Sequence, residues 1–239
     1  MRKIFRAAGV FVAIVVSAAL LPAQARLPDQ PRSTSDISGF WELSFDSRNI
    51  SPANLAAGIT KAVLDAQAKK DAHAIRWCNF LGMPFLMDPS RPLDIRQDTH
   101  LIAISPETNA TPRYIYLDRS THIKQDEFDP TTNGDSIAHW EGDTLVVDTV
   151  GFASDKGVTA IPGGGFRTEN SHLVERYRLL RNGSVLSVTF RWEDPKMYRT
   201  PHTYEFRYYR LPADYEARPA ISCDPFDVER AKFLETKLP

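Results

Sequence analysis

The sequence has little net charge and lacks the short motifs that mark several common classes of enzyme. Its formal charge is −1, with 29 Lys and Arg against 30 Asp and Glu, and the basic residues are scattered, so no basic face for nucleic acid is expected. There is no G-x-S-x-G nucleophile elbow, P-loop or dinucleotide-binding glycine fingerprint. The run Gly163-Gly164-Gly165 lacks the following Lys and the strand–helix context that phosphate binding needs.

The first 25 residues are typical of an export signal. Arg2, Lys3 and Arg6 precede an uncharged apolar run over residues 7–21, and Ala23-Gln24-Ala25 has the small-x-small pattern of a cleavage site. The apolar run is shorter than the roughly 20 residues of a membrane-spanning helix. We therefore predict a signal peptide over residues 1–25, a periplasmic or secreted protein, and no stable membrane insertion after cleavage. An uncleaved anchor is the alternative.

Only two cysteines are present, Cys78 and Cys223. An oxidising compartment favours a disulfide between them, which would hold the C-terminal tail on the body; two buried free thiols are the alternative. Neither cysteine has a metal ligand at zinc-finger or ribbon spacing, and the six histidines show no HExxH-type spacing. No metal and no cofactor are therefore expected.

After a Pro- and Ser-rich flexible leader over residues 26–36, the pattern predicts a single mainly β domain over residues 37–239. Ser51 as N-cap and Pro52 at the first helical position predict one helix from Pro52 to Ala74. Alternating apolar positions and intervening turn residues predict the strands. These are Ile37–Phe45, Leu93–Ser105, Arg113–Leu117, Ser136–Trp140, Asp143–Thr149, Ser171–Leu180, Val185–Trp192 and Thr203–Leu211. Such a series favours a closed antiparallel barrel or a sandwich.

Several strands place aromatic residues on one face. The predicted interior positions are Trp41, Leu43 and Phe45; Leu173, Tyr177 and Leu179; Leu186, Val188, Phe190 and Trp192; and Tyr204, Phe206 and Tyr208. Buried Tyr and Trp need hydrogen-bond partners, and a purely structural core would more often use Leu, Ile and Val. The pattern favours a cavity for a small hydrophobic or aromatic ligand, with an ordinary aromatic core as the alternative.

Two sequence features resemble known families. Gly39-Phe40-Trp41 is similar to the Gly-x-Trp opening of lipocalin-type (calycin) barrels, and the longer run Asn133–Phe152 resembles a large, largely uncharacterised family of exported bacterial proteins. Other hallmarks of that family occur at residues 113–118, 174–177 and 194–198, so the resemblance covers most of residues 37–224. It implies a lipocalin-like antiparallel barrel with one N-terminal helix.

Some proteins of this kind resemble phenylcoumaran γ-formaldehyde lyases, which process lignin-derived aromatic dimers without a cofactor. The resemblance implies a cofactor-independent lyase (or isomerase) here. The chain departs from the family pattern where a site is expected. It has Asp118-Arg119-Ser120-Thr121-His122-Ile123 in place of Asp-Gly-Arg-x-His-Pro, Asp135 where His is frequent, and His139 where Arg is frequent.

Glu175 and His139 are the first candidates for catalysis. Alternation places Glu175 between Leu173 and Tyr177 on the interior face, where a carboxylate needs a partner. It is either a general base or half of an ion pair with Arg191 or Arg207. The run Ser136–Thr149 predicts a hairpin with Glu141-Gly142 at its tip, in which Trp140 opposes Asp143 and His139 opposes Thr144. His139 is then either a proton carrier at the barrel mouth or a surface residue.

Three further residues complete the predicted catalytic set: Tyr116 and His122 near a strand end, and His202 on the face of Tyr204. The predicted substrate-binding residues are Trp41, Trp140, Tyr177, Arg191, Trp192, Tyr204 and Tyr208. The first functional hypothesis is an exported lyase acting on a small aromatic compound in a barrel cavity. The alternatives are a lipocalin-like carrier of a hydrophobic ligand and a structural protein without a ligand. The sequence does not determine the oligomeric state.

Overall fold

Strands and one helix alternate with turns along the chain, in a computed structural model that describes residues 35–76, 82–89, 91–107, 111–124 and 126–217. The predicted signal peptide, residues 26–34 of the predicted leader and both cysteines lie outside these residues. Among the described residues the helix is α1 (Lys61–Arg76). The strands are β1 (Gly39–Leu43), β2 (Asn49–Ile50), β3 (Leu93–Gln97), β4 (Leu101–Pro106), β5 (Arg113–Tyr116), β6 (Asp135–Glu141), β7 (Thr144–Val150), β8 (His172–Leu180), β9 (Val185–Glu193) and β10 (His202–Arg210).

Nine of these strands close into a barrel. Their order is β1-β3-β4-β5-β6-β7-β8-β9-β10, and β10 pairs back onto β1, with Trp41 opposite Arg210. The short β2 pairs with β10 beside this junction. All pairings are antiparallel except β5–β6, which is parallel. A mainly β barrel with one helix is confirmed, and the purely antiparallel description is corrected at β5–β6.

Alternation of side chains along the strands determines the interior, as predicted. Leu186, Val188, Phe190 and Trp192 on β9, Leu173 and Tyr177 on β8, and Tyr204, Phe206 and Tyr208 on β10 are all at most 2% exposed. Burial of one such side chain contributes about 1.5–3 kcal/mol. Leu179 also packs against this core, although it is only partly buried. One prediction for these faces is wrong: Phe45 is 58% exposed because β1 ends at Leu43 and Phe45 begins a 3-10 turn.

The predicted strand Leu93–Ser105 is two strands. Asp98 ends the first, because its Oδ1 accepts hydrogen bonds from the backbone N–H of His100 at 2.7 Å and of Leu101 at 2.8 Å. An Asp that bonds the backbone two and three residues ahead favours a turn. β3 and β4 then pair as an antiparallel hairpin.

The hairpin β6–β7 has a different register from the predicted one. Glu141 opposes Thr144 and Trp140 opposes Leu145, so Gly142 and Asp143 form the turn. Gly142 has a φ of +62°, which suits the first central position of a two-residue hairpin turn. Because the register differs by two residues, each side chain keeps its predicted face.

The helix begins nine residues later than predicted. Residues 52–60 run beside the barrel instead, with the N–H of Ala53 and of Ala56 donating to the carbonyls of Gly163 and Met197, each at 2.9 Å. The N-cap is Thr60, whose Oγ1 accepts the Val63 N–H at 3.4 Å. The Ser51-Pro52 start signal is therefore overridden by hydrogen bonds to distant loops.

Two loop segments cover the barrel. The first, residues 161–166, is bound to the body: the Tyr198 hydroxyl donates to the Gly164 carbonyl at 3.1 Å. A Cβ at Gly165 would lie 2.7 Å from that hydroxyl, so only glycine fits. The second segment, residues 82–89, which we call the inserted segment, packs onto interior side chains. Its Met83, Leu86 and Met87 are at most 2% exposed.

Candidate functional site

A buried ion pair crosses the barrel interior. Arg113 on β5 and Glu175 on β8 are both fully buried; Nη1 donates to Oε1 at 2.9 Å, and Nη2 donates to Oε2. Nη2 also donates to Ser136 on β6 at 3.1 Å and to Thr149 on β7 at 2.9 Å. The Tyr177 hydroxyl donates to Oε1 of Glu175 at 2.8 Å. We call these five residues the interior network.

The interior position of Glu175 was predicted, but its predicted partners are wrong. Arg191 and Arg207 lie on the outer faces of β9 and β10, where they pair with Glu193 and Glu205. Arg113 was missed, although it alternates with the apolar Ile115 on β5, which was the signal available in the sequence. Ser136 and Thr149 share faces with Ala138 and Val147 in the same way.

The charge of Glu175 shifts the pKa values of its neighbours in the interior network. Burial opposes the charged form of Arg113, but the neighbouring charge of Glu175 outweighs it and raises the Arg113 pKa. Burial, together with the Glu175 charge, raises the Tyr177 pKa well above its ordinary value. Tyr177 is therefore a neutral hydrogen-bond donor at physiological pH, and Arg113 is a permanent cation. Both Glu175 oxygens already accept hydrogen bonds.

An aromatic wall adjoins the interior network, because Phe190 on β9 is the cross-strand partner of Glu175 on β8. Phe190 and Tyr204 stack with ring centroids 4.8 Å apart, and Phe206 lies 5.1 Å from Tyr204. The Trp192 indole N–H donates to the Tyr204 hydroxyl at 3.2 Å. Burial raises the pKa of Tyr204 well above its ordinary value, so the phenol keeps its hydrogen.

Tyr204 differs from the other buried tyrosines in its hydrogen bonds. The hydroxyls of Tyr177, Tyr198 and Tyr208 each donate to an acceptor: Glu175, the Gly164 carbonyl and the Met87 carbonyl respectively. The Tyr204 hydroxyl accepts from Trp192, but no described residue accepts its own hydrogen. A buried hydroxyl ordinarily satisfies its donor. The interior therefore contains one polar hydrogen available to an acceptor that is not part of the described residues.

A second polar cluster lies on the outer face of the barrel. His122 bridges two carboxylates, with Nδ1 2.9 Å from Asp135 and Nε2 2.8 Å from Asp148. Asp148 also contacts Nε2 of His172 at 3.0 Å, and Nδ1 of His172 lies 3.6 Å from Glu193. We call these five residues the outer chain. Both ring nitrogens of His122 can donate at once only when the imidazole is protonated.

Two carboxylates of the outer chain, Asp135 and Asp148, have lowered pKa values. For Asp135, burial raises the pKa, but hydrogen bonds from His122, the Ile123 N–H and Arg119 outweigh it, and the net pKa is lowered. For Asp148, the hydrogen bond from His172 is the main cause of a lowered pKa, with a smaller contribution from His122. Among the described residues, no group of three or more His, Cys, Asp or Glu is arranged to hold a metal ion.

The structure divides the predicted catalytic residues between the two faces. Glu175 and His202 lie inside, where His202 is 4% exposed and its Nε2 lies 2.6 Å from the Pro162 carbonyl. Tyr116 and His122 lie outside and are joined through Arg119, which stacks 3.6 Å from the Tyr116 ring and binds Asp135. His139 is an exposed residue beside Glu141 at 3.2 Å. No single site gathers all five.

The predicted substrate-binding residues separate in a similar way. The inward-facing members are Trp41, Tyr177, Trp192, Tyr204 and Tyr208. Trp140 is half-buried near the end of β6, and Arg191 is on the outer face. Of the outer chain, the sequence predicted a catalytic role only for His122 and marked Asp135 only as a departure from the family pattern. Asp148 and His172 were missed, because their outward strand positions are typical of an ordinary solvated face.

Comparisons with known proteins do not assign this chain to a family. No family model matches the chain, and no curated protein matches it significantly. The resemblance to exported calycin-like proteins and to formaldehyde lyases thus stays a prediction. Among the described residues, no helix is long and apolar enough to span a membrane.

Proposed function

We propose that this protein binds a small aromatic or otherwise apolar ligand inside its barrel and carries it without chemical change. The observation on which this rests is the Tyr204 hydroxyl, which lies in the aromatic wall with a hydrogen that no described residue accepts. Phe190 and Phe206 flank it and are suited to a flat apolar group. A ligand with one hydrogen-bond acceptor, such as a carbonyl or an ether oxygen, would satisfy the phenol.

Neutralisation of Glu175 supports carriage over catalysis. Both of its oxygens are engaged, by Arg113 and Tyr177, and removal of a buried ion from such a pair is costly. The interior then offers a ligand a fixed, neutral surface. Met83, Leu86 and Met87 of the inserted segment belong to the same buried cluster as the interior side chains, so we expect this segment to move when a ligand enters. Its Met83 and Met87 side chains are unbranched and can change rotamer to fit different ligands, as methionines do at other binding surfaces.

Titration of the protein with a phenylcoumaran, followed by quenching of tryptophan fluorescence, tests this proposal. Tyr204→Phe should weaken binding about tenfold, the effect of one lost hydrogen bond of about 1.4 kcal/mol. Tyr209→Phe is the matched control, because Tyr209 is on the same strand but 43% exposed. Tyr204→Phe also leaves the Trp192 N–H without its acceptor. Thermal unfolding curves must therefore show that both variants are folded at the assay temperature.

Two results would count against a carrier. If neither the phenylcoumaran nor a panel of simpler aromatic ethers and ketones gave saturable quenching, the proposal of an interior ligand site would be wrong. Equal weakening by Tyr204→Phe and Tyr209→Phe would show that the free hydroxyl is not the recognition group.

A second candidate, the cofactor-independent lyase, is favoured by the contact between Tyr177 and Glu175. The 2.8 Å hydrogen bond joins a proton donor and a carboxylate inside an aromatic interior, which is the arrangement that general acid–base chemistry uses. Incubation with a phenylcoumaran, with assays for formaldehyde and for product by chromatography, tests this activity. Glu175→Gln should abolish turnover and spare binding. Binding without any product favours the carrier.

A further inference from the structure

A cavity of about 460 Å³ lies outside the barrel, between α1 and residues 154–159. Lys69 and Lys70 of the helix line it on one side, and Ser154 and Gly157 line it on the other. This volume falls within the range of small-molecule sites, about 300–1,000 Å³. The proposed carrier function does not use this cavity.

The walls of the cavity are fixed by Asp71, which is 5% exposed. Its Oδ1 accepts hydrogen bonds from Gln67 Nε2 at 3.0 Å and from the N–H and hydroxyl of Thr159 at 3.2 and 3.1 Å, while Oδ2 accepts the Ala160 N–H at 2.9 Å. These bonds hold the helix against the facing segment. Because both Asp71 oxygens are already engaged, this carboxylate is not free to form an ion pair with a lysine of the cavity.

A buried cation stands behind the same wall. Arg167 is fully buried; Nη2 donates to the Lys156 carbonyl at 2.6 Å and Nη1 to the Thr132 carbonyl at 2.9 Å, but Nε has no hydrogen-bond partner among the described residues. No carboxylate of the described residues forms an ion pair with it. Burial lowers the pKa of Arg167 to about 10, and the charges of Asp71 and Asp155 only partly oppose this. The side chain is therefore a cation at neutral pH whose charge is incompletely compensated.

The lysines on the open side of the cavity add to this positive charge. Lys69 and Lys70 are exposed and form no ion pair with any described residue. Asp155 also lines the cavity, on the side facing the helix. Two lysines and one carboxylate, that of Asp155, therefore line the cavity together with His73 and uncharged side chains, while Arg167 lies behind the wall. The aliphatic parts of the lysines and Ala74 supply apolar surface.

We infer that this cavity binds a small organic acid, with the carboxylate beside Lys69 and Lys70 and the apolar part against the helix. Arg167 behind the wall adds a positive charge that Asp71 and Asp155 only partly offset. Charges several ångströms apart still interact measurably across a partly dry wall. The site is independent of the barrel interior, so it can be occupied or empty without a change in the aromatic wall.

Calorimetric titration of the full chain with acetate, benzoate and succinate, against benzyl alcohol as an uncharged counterpart of benzoate, tests this inference. Benzoate should bind saturably in the millimolar range or tighter and benzyl alcohol should not. Lys69→Gln with Lys70→Gln should weaken binding of the acid by about tenfold or more, because two nearby charges are lost. Lys61→Gln is the matched control, since this lysine lies at the start of the same helix, pairs with Asp65 and does not line the cavity.

The inference fails if none of the three acids binds saturably, or if benzyl alcohol binds as tightly as benzoate. It fails equally if the double lysine variant, confirmed to be folded, binds benzoate with the affinity of the Lys61→Gln control. Added sodium chloride should weaken binding progressively, since an exposed charge contact is screened. Competition for the fluorescence-detected interior site should not occur.

Discussion

The interior network and the outer chain are built from similar groups in opposite surroundings. Each links charged side chains across four neighbouring strands: the interior network runs from β5 to β8 and the outer chain from β6 to β9. Arg113 and Glu175 are fully buried, whereas the side chains of His122, Asp148 and His172 are 22%, 39% and 34% exposed. The same strands thus carry one polar network on each face.

This difference in exposure separates two physical roles. In the interior, low dielectric makes an uncompensated charge expensive, so Arg113 and Glu175 are held together as a pair. On the outside, water and salt screen the contact between the partly exposed Asp148 and His172. We therefore expect the interior network to maintain the fold and the outer chain to respond to solution conditions.

The largest effect should come from breaking the interior ion pair. Arg113→Met leaves the Glu175 carboxylate buried without a cation, and we expect the free energy of unfolding to fall by about 3–5 kcal/mol. The double variant Arg113→Met, Glu175→Met should regain most of this loss, because apolar groups of similar volume often replace a buried pair without penalty. Urea unfolding of the three proteins measures both quantities. A single-variant loss below about 1 kcal/mol would mean that water reaches the interior.

That ion pair also shows what the sequence could and could not predict. Alternation along β8 placed Glu175 inside correctly, because a two-residue period is a local property. Its partner depends on which strands become neighbours. Arg113 lies 62 residues earlier, and it approaches Glu175 only because β5 joins β6 in parallel after a long connection. Turn residues show which consecutive strands pair as hairpins, but they do not show that β5 and β6 pair in parallel.

Non-local contacts explain the other departures as well. The Ser51-Pro52 signal is a genuine local preference, but backbone hydrogen bonds from Ala53 and Ala56 to loops more than 100 residues away override it. The outer chain was missed for a related reason. Asp148 and His172 are ordinary outward residues on their own strands and become a chain only when the register sets them side by side.

A smaller effect is expected at the most buried carboxylate of the outer chain. Asp135→Asn removes charge-assisted hydrogen bonds from His122 and Arg119, and we expect a loss of about 1–3 kcal/mol at pH 7. Because the folded pKa of Asp135 lies below its ordinary 3.8, its stabilisation is complete above that value and is lost as the pH falls through the folded pKa. The difference between wild type and variant should therefore shrink toward pH 3.

Unfolding by urea at pH 7 and at pH 3 tests this dependence. Asp126→Asn, at an exposed position in the same loop region, is the control and should show no such convergence. If the Asp135→Asn difference stayed constant over this range, the carboxylate charge would have no part in holding His122.

At Asp148 the effect should be smaller again and sensitive to salt. Its side chain is 39% exposed, so solvent screening reduces the value of its two histidine contacts to about 1 kcal/mol or less. Asp148→Asn should therefore cost less than Asp135→Asn at low ionic strength. In 1 M sodium chloride, where the screening length is about 3 Å, the cost should nearly vanish, whereas the cost of Arg113→Met should persist. Parallel unfolding curves at both salt concentrations measure this contrast.

The smallest effect is expected at the tip of the β6–β7 hairpin. Arg178 contacts Asp143 at 2.9 Å, in good hydrogen-bonding geometry, but the two side chains are 56% and 49% exposed. Contacts in water stabilise little because each partner exchanges one hydrogen bond for another and loses rotamer freedom. Arg178→Ala should leave Tm unchanged within error in a thermal scan, although the contact is as short as that between Arg113 Nη1 and Glu175. A clear drop in Tm would mean that geometry, and not burial, determines which ion pairs of this barrel matter.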